Sequence, residues 1–395
     1  MPIVSQRSGR DDRAALYPPE LLPYFDDSFI TSFDFFEEYV ARLTLALFRS
    51  TGLEAACLNE TTVSRAVAHA GLTPGVALVP GSWILAMLAS RKWIEMKVAA
   101  NGERLYRTAQ PLPVLDADET LERQRAHDPR CLPSFEIAAL AAAHYPAVLR
   151  GQTSGEQALF GPEGIVPWVK YFSNDNPLYA ISNKVGAIAA AQALPAGEAA
   201  ILEIGGGLGS GADTLLGELE SSGHAARVSS YHLTEISALF LKRAQRNLSA
   251  RHPQCRFQFS PLDIDRPFAE ASIAPASHSL VYGVNVLHVA RDLTATLGEL
   301  RNALSDGGVL VMAECVRPFA DTPLHLELVF NLLSSFRDAV LVPGWRPNGG
   351  FLTPEQWTAA LAANGFRDIR IYPDIAAIRD AYPSFVVAAI VARPA

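Results

Sequence analysis

The sequence predicts an α/β chain, with a doubly wound and mostly parallel sheet in its C-terminal half and a helical region ahead of it. Three observations carry this. An apolar run, Ala199-Ala200-Ile201-Leu202, ends in Glu203. It meets a glycine-rich stretch, Gly205-Gly206-Gly207-Leu208-Gly209-Ser210-Gly211, before apolar residues return at helical spacing. From Pro195 onward, strand-like and helix-like segments alternate, which is the pattern of a parallel sheet covered on both faces. Asn101-Gly102 lies between two short strand-like runs, a hairpin signal.

Composition narrows the class. With 395 residues, 49% of them apolar, the chain can bury sizeable cores in two or three domains. The net charge is −8 and no Lys/Arg-rich block occurs, so nucleic acid is not an expected partner. Cys57, Cys131, Cys255 and Cys315 are scattered without a C-x-x-C pair, which argues against structural zinc and a disulfide framework. No tight His/Asp/Glu cluster suggests a metal. The first residues mix Arg, Asp and Pro, unlike a signal peptide, and no run reads as a membrane span. A cytoplasmic protein with no membrane partner is expected.

In order, residues 1–27 read as a loosely held arm. Phe33, Phe36, Val40, Leu43 and Leu47 recur at spacings of three and four and end at Gly52, a helix. A shorter helix covers Glu60 to Gly71, and a third lies near Ser82–Ala89. With the hairpin about Asn101-Gly102, residues 28–115 read as a winged-helix-like domain. Its third helix is mostly apolar and offers few groups to phosphates or base edges, which favours packing over DNA binding. Residues 116–194 read as a helical lid or linker, with aromatics and amides gathered at Trp168, Tyr171, Phe172, Asn174, Asn176, Tyr179 and Asn183.

Residues 195–395 hold the sheet. Strands are expected at Ala200–Ile204, Arg227–Leu233, Arg256–Ser260, Ser279–Gly283, Gly308–Ala313, Asp368–Tyr372 and Phe385–Val391. Helices are expected at Asp213–Ser221, Ser237–Ala250, Leu293–Leu304, Leu324–Asp338 and Pro354–Ala363.

In such sheets ligands bind beyond the carboxyl ends of the strands. The first strand ends in Glu203-x-Gly205-x-Gly207-x-Gly209. A dinucleotide fingerprint wants its glycines in another order, and an acid is awkward beside a pyrophosphate. The acid suits a cationic ligand such as S-adenosylmethionine, and the motif resembles the first motif of class I methyltransferases. Glu235, after the second strand, can accept both hydroxyls of a ribose, or serve as an N-terminal acid on the next helix. His288 and Glu314 leave adjacent strand ends, a base and a group to orient it. His232, inside a strand, reads as structural.

From about Val148 the chain resembles the C-methyltransferase domains of polyketide synthases. Val148-Leu149-Arg150-Gly151-Gln152 with Ala158-Leu159-Phe160 is similar to their lid. Tyr231-His232-Leu233-Thr234-Glu235 is similar to their second motif, and Asn285-Val286-Leu287-His288 with Arg291-Asp292-Leu293 to their Asn-Val-Leu-His signature. Pro343-Gly344-Trp345, Leu352-Thr353-Pro354-Glu355-Gln356-Trp357 and Gly365-Phe366 match their late segment. Two places depart: Val289-Ala290 follows His288 where Ala-Thr is usual, and Arg346 stands where an aromatic usually follows Gly344-Trp345.

The resemblance implies a seven-stranded Rossmann-like methyltransferase core in a free-standing chain. It implies S-adenosylmethionine held by Glu203, Gly205, Gly207, Gly209, Glu235, Asp263, Ile264 and Asn285, with Asp263 on the adenine and Asp265 its competitor. It implies that His288, oriented by Glu314, deprotonates the α-carbon of a β-ketoacyl thioester, with Tyr171 or Tyr179 on the enolate oxygen. The acyl substrate is either a small molecule or tethered to an acyl carrier protein, and a homodimer is compatible with the N-terminal module. An O- or N-methyltransferase, or a scaffold subunit without turnover, are the alternative readings.

Overall fold

A computed structural model describes residues 13–383 and 385–395. The chain forms two compact units that do not follow chain order. One comprises Asp27–Tyr171 with Phe319–Arg337; the other comprises residues 13–26 with Phe172–Pro318 and Asp338–Ala395.

The first unit is helical. Its long helix, Asp27–Ser50, buries Phe33, Phe36, Val40 and Leu47. Helices Val63–His69 and Pro74–Ser90 meet at a bend of 119°. The hairpin predicted at Asn101-Gly102 pairs β1 (Glu95–Val98) antiparallel with β2 (Arg104–Arg107), and Tyr106 also pairs with Thr61. The helix Pro74–Ser90 buries Trp83, Ile84, Leu85 and Leu88, so most of its apolar surface lies in a core.

The helical stretch Pro129–Leu149, with a mean hydropathy of 1.2, has the length and composition of a membrane span, which the sequence reading passed over. Half of it is buried, and Phe135 packs its ring 5.1 Å from that of Phe36 and 4.9 Å from that of Tyr39.

The expected helix Leu324–Asp338 is broken into two single turns, Glu327–Phe330 and Ser334–Arg337. The Glu327 carboxylate accepts from Leu324 N at 2.9 Å and starts the first turn. Glu156 accepts from Ser334 N and Oγ at 2.6 and 2.7 Å, and the second turn begins there. Trp83 Nε1 donates to Leu324 O and Tyr145 Oη to Leu328 O, which fastens this late segment to the helical unit.

The second unit is the α/β core. Its strands are β3 (Ala199–Ile204), β4 (Val228–Thr234), β5 (Phe257–Ser260), β6 (His278–Val284), β7 (Leu304–Cys315), β8 (Phe366–Tyr372) and β9 (Val387–Pro394). They form one sheet in the order β5-β4-β3-β6-β7-β9-β8. The strands from β5 to β7 run parallel, and β9 enters antiparallel between β7 and β8. The strand order reverses between β3 and β6, and in open sheets of this kind ligands bind beyond the carboxyl ends of the strands at that reversal.

Helix Pro177–Ala193 lies on this sheet. Gly186 permits the approach, since a Cβ there would stand 2.9 Å from Ala313 Cβ and 3.0 Å from Tyr282 Oη. Residues 13–26 are not a loose arm: Tyr17, Leu21 and Phe25 are buried, and Tyr17 stacks on Phe25 at 4.6 Å with Phe385 edge-on. Three large apolar residues at spacings of four lock this segment down. Residues 1–12 of the expected arm lie outside the described residues.

Candidate active site

The site starts at the turn after β3. Gly205, Gly207 and Gly209 all have positive φ, at 60°, 53° and 86°. A Cβ on Gly205 would stand 2.5 Å from Val286 Cγ2, so this glycine is required by contact as well as by φ. A Cβ on Gly207 meets nothing within 4 Å, so this glycine faces open space. Gly209 N-caps the helix Ser210–Ser221, whose first N–H groups give that end a partial positive charge.

Glu203 ends its strand 1% exposed. Its Oε2 accepts from Tyr231 Oη at 2.9 Å, and its main-chain oxygen accepts from Thr234 Oγ1 at 2.8 Å. Burial pushes its carboxyl up to about 8, against the Tyr231 bond that lowers it, and no cation is among the groups acting on it. Nearby, Asn183 Oδ1 is buried and accepts no hydrogen bond. Glu203 Oε1 and Asn183 Oδ1 both lie within 3.6 Å of the place a Cβ on Gly211 would take. Two buried acceptors without a cationic donor fit an ammonium group, and Gly211 leaves them room. These residues therefore fit the methionyl end of S-adenosylmethionine.

The amides expected in a cap brace this turn instead. Asn183 Nδ2 donates to Asn174 Oδ1 at 2.8 Å, and Asn174 Nδ2 donates to Ser210 O at 3.1 Å.

Glu235 stands between the glycine turn and the next helix. Its Oε2 accepts from Gly207 N at 3.0 Å and its Oε1 from Ser237 N at 2.8 Å. Burial raises its carboxyl and these backbone donors oppose the rise. These bonds place Glu235 at the start of the helix Ala238–Arg251, which Ser237 caps. Beyond β5, Asp263 Oδ1 accepts from Asp265 N at 3.0 Å, while Asp265 Oδ1 accepts from Arg291 N at 2.8 Å. Each acid thus accepts one backbone N–H, Asp263 from within its own loop and Asp265 from the loop after β6. Ile264 offers its carbonyl to Thr296 Oγ1 at 3.1 Å.

After β6 the backbone turns at Asn285, a non-glycine residue with φ 52°. Its N–H donates to Ala313 O at 2.7 Å and its Oδ1 accepts from Cys315 N at 2.9 Å. Its side-chain oxygen is spent on joining two strand ends, a scaffolding job that the cofactor-binding expectation did not include. The short turn Leu287–Val289 follows, carrying His288 at 2% exposure.

His288 Nδ1 stands 2.7 Å from Glu314 Oε2 at the end of β7. Glu314 Oε1 accepts from Val286 N at 3.0 Å and from Leu287 N at 2.6 Å. The carboxylate so aims the ring, and a proton on Nδ1 leaves the lone pair on Nε2. Phe351 packs against the imidazole with ring centroids 4.5 Å apart. Such a pair can take up a proton at Nε2 and stabilise the resulting charge.

Tyr179 links the two halves of the site. Burial raises its hydroxyl well above the usual range, and Glu203, Cys315, Glu235 and Glu314 add to the rise through space. It therefore stays a donor across physiological pH, surrounded by acids that favour a cationic ligand. Tyr171 ends the helix Ile165–Tyr171 of the helical unit and stands edge-on to Trp168. His232 Nε2 pairs with Ser260 Oγ at 2.6 Å, as a structural histidine does.

Two site residues escaped the sequence reading of roles. Tyr231 alternates with Leu233 on β4 in the manner of any core strand, and nothing local shows that its hydroxyl meets Glu203. Arg346 stood out only as a departure from the family pattern. It is fully buried and donates to His288 O from Nη2 at 3.1 Å.

A family model described as a methyltransferase domain matches residues 202–310. The chain is 28% identical over 276 residues to highly reducing polyketide synthase 2 of Gibberella zeae, a match covering 65% of this chain and 10% of that protein. The chain thus spans only about a tenth of this curated relative. Among solved structures it is similar to CurJ carbon methyltransferase, with TM-score 0.74 at 20% identity over 91% of each chain. It is also similar to the trans-methyltransferase CalH in complex with SAH, with TM-score 0.61 at 19% identity over 92% of each. At these identities the structural likeness speaks for the fold.

Proposed function

We infer that this chain, an S-adenosylmethionine-dependent methyltransferase related to the carbon-methyltransferase domains of polyketide synthases, methylates the α-carbon of a β-ketoacyl thioester or a related activated carbonyl. The observation that carries the reading is the buried His288–Glu314 contact of 2.7 Å beside the glycine turn. A carbon acid flanked by two carbonyls needs a positioned base and a donor for the oxygen that becomes negative.

When bound, S-adenosylmethionine supplies an electrophilic methyl group. Glu203 and Asn183 would hold its ammonium group, Glu235 its ribose and Asp263 with Ile264 its adenine end. His288 Nε2 takes the α-proton, while Glu314 holds Nδ1–H and balances the imidazolium charge. Tyr179, protonated at neutral pH, donates to the enolate oxygen. The acyl group arrives either free or tethered to a carrier protein.

The test is mass spectrometry of purified protein with S-adenosylmethionine and a short β-ketoacyl thioester, offered free and carrier-bound. A single methyl gained on the α-carbon is the expected result, and the form that reacts defines the acceptor. Methyl found on oxygen, or none although the cofactor binds, overturns the α-carbon reading.

A further inference from the structure

Arg346 is fully buried, on the segment where Val342 and Arg346 pair their backbones. An arginine stays charged, and burying that charge is costly where an apolar side chain of similar volume would fill the space without the penalty. Its guanidinium reaches no carboxylate within ion-pair distance among the described residues. It spends its donors on main-chain oxygens: Nη2 on His288 O at 3.1 Å and Nη1 on Arg291 O at 3.3 Å. Nε has no partner. Burial lowers the guanidinium's affinity for its proton, while Asp265 and Asp292 favour the charged form through space.

The two oxygens belong to the loop that carries His288. Within its single turn, Leu287–Val289, Leu287 O accepts from Ala290 N at 3.1 Å; beyond it Arg291 O accepts from Val340 N at 2.8 Å as well as from Arg346, and His288 O takes the Arg346 Nη2 donor. Arg291 joins the same loop to Asp265, through its N–H on Asp265 Oδ1, and Asp265 N donates to Asp263. Glu314 fixes the imidazole from one side, at Nδ1; Arg346 fixes the backbone of the same residue from the other.

We propose that Arg346 is a positioning residue for His288, which clamps the carbonyls of His288 and Arg291 and so sets where Nε2 points. The proposal rests on His288 being the base of the reaction read above. Its chemistry is a charge-assisted bond to two peptide oxygens, which an aromatic or aliphatic side chain at this position cannot make.

The test compares full-length wild type with R346M and R346K in three readouts. Binding of S-adenosylhomocysteine by calorimetry is expected to stay within twofold in both variants, which also shows that they fold. The imidazole nitrogen shifts of His288, assigned by difference from H288Q in histidine-labelled protein, are expected to move toward an averaged tautomer in R346M. They should return part of the way in R346K, which keeps one donor. Turnover of the β-ketoacyl thioester is expected to fall at least tenfold in kcat in R346M with KM within threefold. Unchanged His288 shifts in R346M overturn the proposal and leave Arg346 a packing residue. Loss of cofactor binding in both variants also overturns it, by making Arg346 a general structural residue. Should wild type leave the thioester unmethylated while the shifts still move in R346M, the α-carbon reading fails and the positioning role stands.

Discussion

Glu314 binds His288 at both ends of one structural unit: Oε2 meets the imidazole Nδ1 at 2.7 Å, and Oε1 gathers the backbone N–H groups of Val286 and Leu287. One carboxylate thus builds the turn and aims the ring that the turn carries. Removing it costs geometry as well as charge.

Glu314→Gln keeps the volume but puts an amide beside Nδ1, which favours the wrong tautomer of His288. A positioned base contributes about 10²–10⁴-fold, and kcat in E314Q and in His288→Ala is expected to fall within that span. Cofactor affinity, measured by calorimetry with S-adenosylhomocysteine, should change by less than about threefold, because neither side chain is among those assigned to the cofactor. A parallel loss of cofactor binding would move the pair into a structural role.

Glu203 predicts a pH dependence. Its carboxyl is raised to about 8 by burial, so without cofactor it holds a proton over most of the physiological range. A cationic ligand needs it ionised. Cofactor affinity should therefore rise as pH goes from about 6 to about 8, with one proton released on binding, detectable as buffer-dependent heat. The stability of the cofactor-free protein runs the other way. Here an acid's folded pKa is raised, so the folded chain keeps a proton that the unfolded chain sheds. Stability falls as pH rises from the ordinary glutamate value of 4.5 toward 8 and then levels. Glu203→Gln should flatten both slopes, and retention of either slope in E203Q assigns it to another group.

Tyr231→Phe isolates one contribution to that shift. The Tyr231 hydroxyl bonds Glu203 at 2.9 Å and lowers its carboxyl against burial. Without it Glu203 rises further, so the pH of half-maximal cofactor affinity should move upward. An unchanged midpoint in Y231F would show that this bond does not control Glu203.

Gly205 and Gly207 separate folding from binding. Both have positive φ, which costs an alanine about 1–2 kcal/mol. Gly205→Ala adds a methyl 2.5 Å from Val286 Cγ2, two residues before His288, and is expected to lower Tm more and to disturb the His288 turn. Gly207→Ala meets no protein atom within 4 Å, so it should keep most of its stability and lose cofactor affinity, since its Cβ enters the open side of the turn. Thermal unfolding paired with calorimetry distinguishes the two. Equal losses of Tm would show that the turn has no open side.

The parallel sheet and its glycine turn were legible because their signals are local. β3 and β6 read as short, largely apolar runs, and the acid before Gly205 is a neighbour of the turn it serves. His288 and Glu314 were legible for a related reason: one lies just past the end of a strand and the other at the end of its neighbour, and parallel strands bring their carboxyl ends to one edge. The break at Ser334 was not legible, since its cause is a carboxylate 178 residues away. Nor was the packing of residues 13–26, which depends on Phe385 at the far end of the chain.

The sequence by itself determined the order of strands and helices, the glycine turn, and the residue types standing at each strand end. Periodicity and turn chemistry are properties of neighbours in the chain. Only the tertiary structure decided that Asp265 meets the N–H of Arg291, that the side-chain oxygen of Asn285 ties two strand ends together, and that Tyr179 lies within electrostatic reach of Glu203 and Glu314. It also decided that Arg346 closes on the carbonyl of His288. Each of these is a choice of partner across a fold, made by burial and by the demand that every enclosed polar group find its complement. Spacing along the chain does not record such choices.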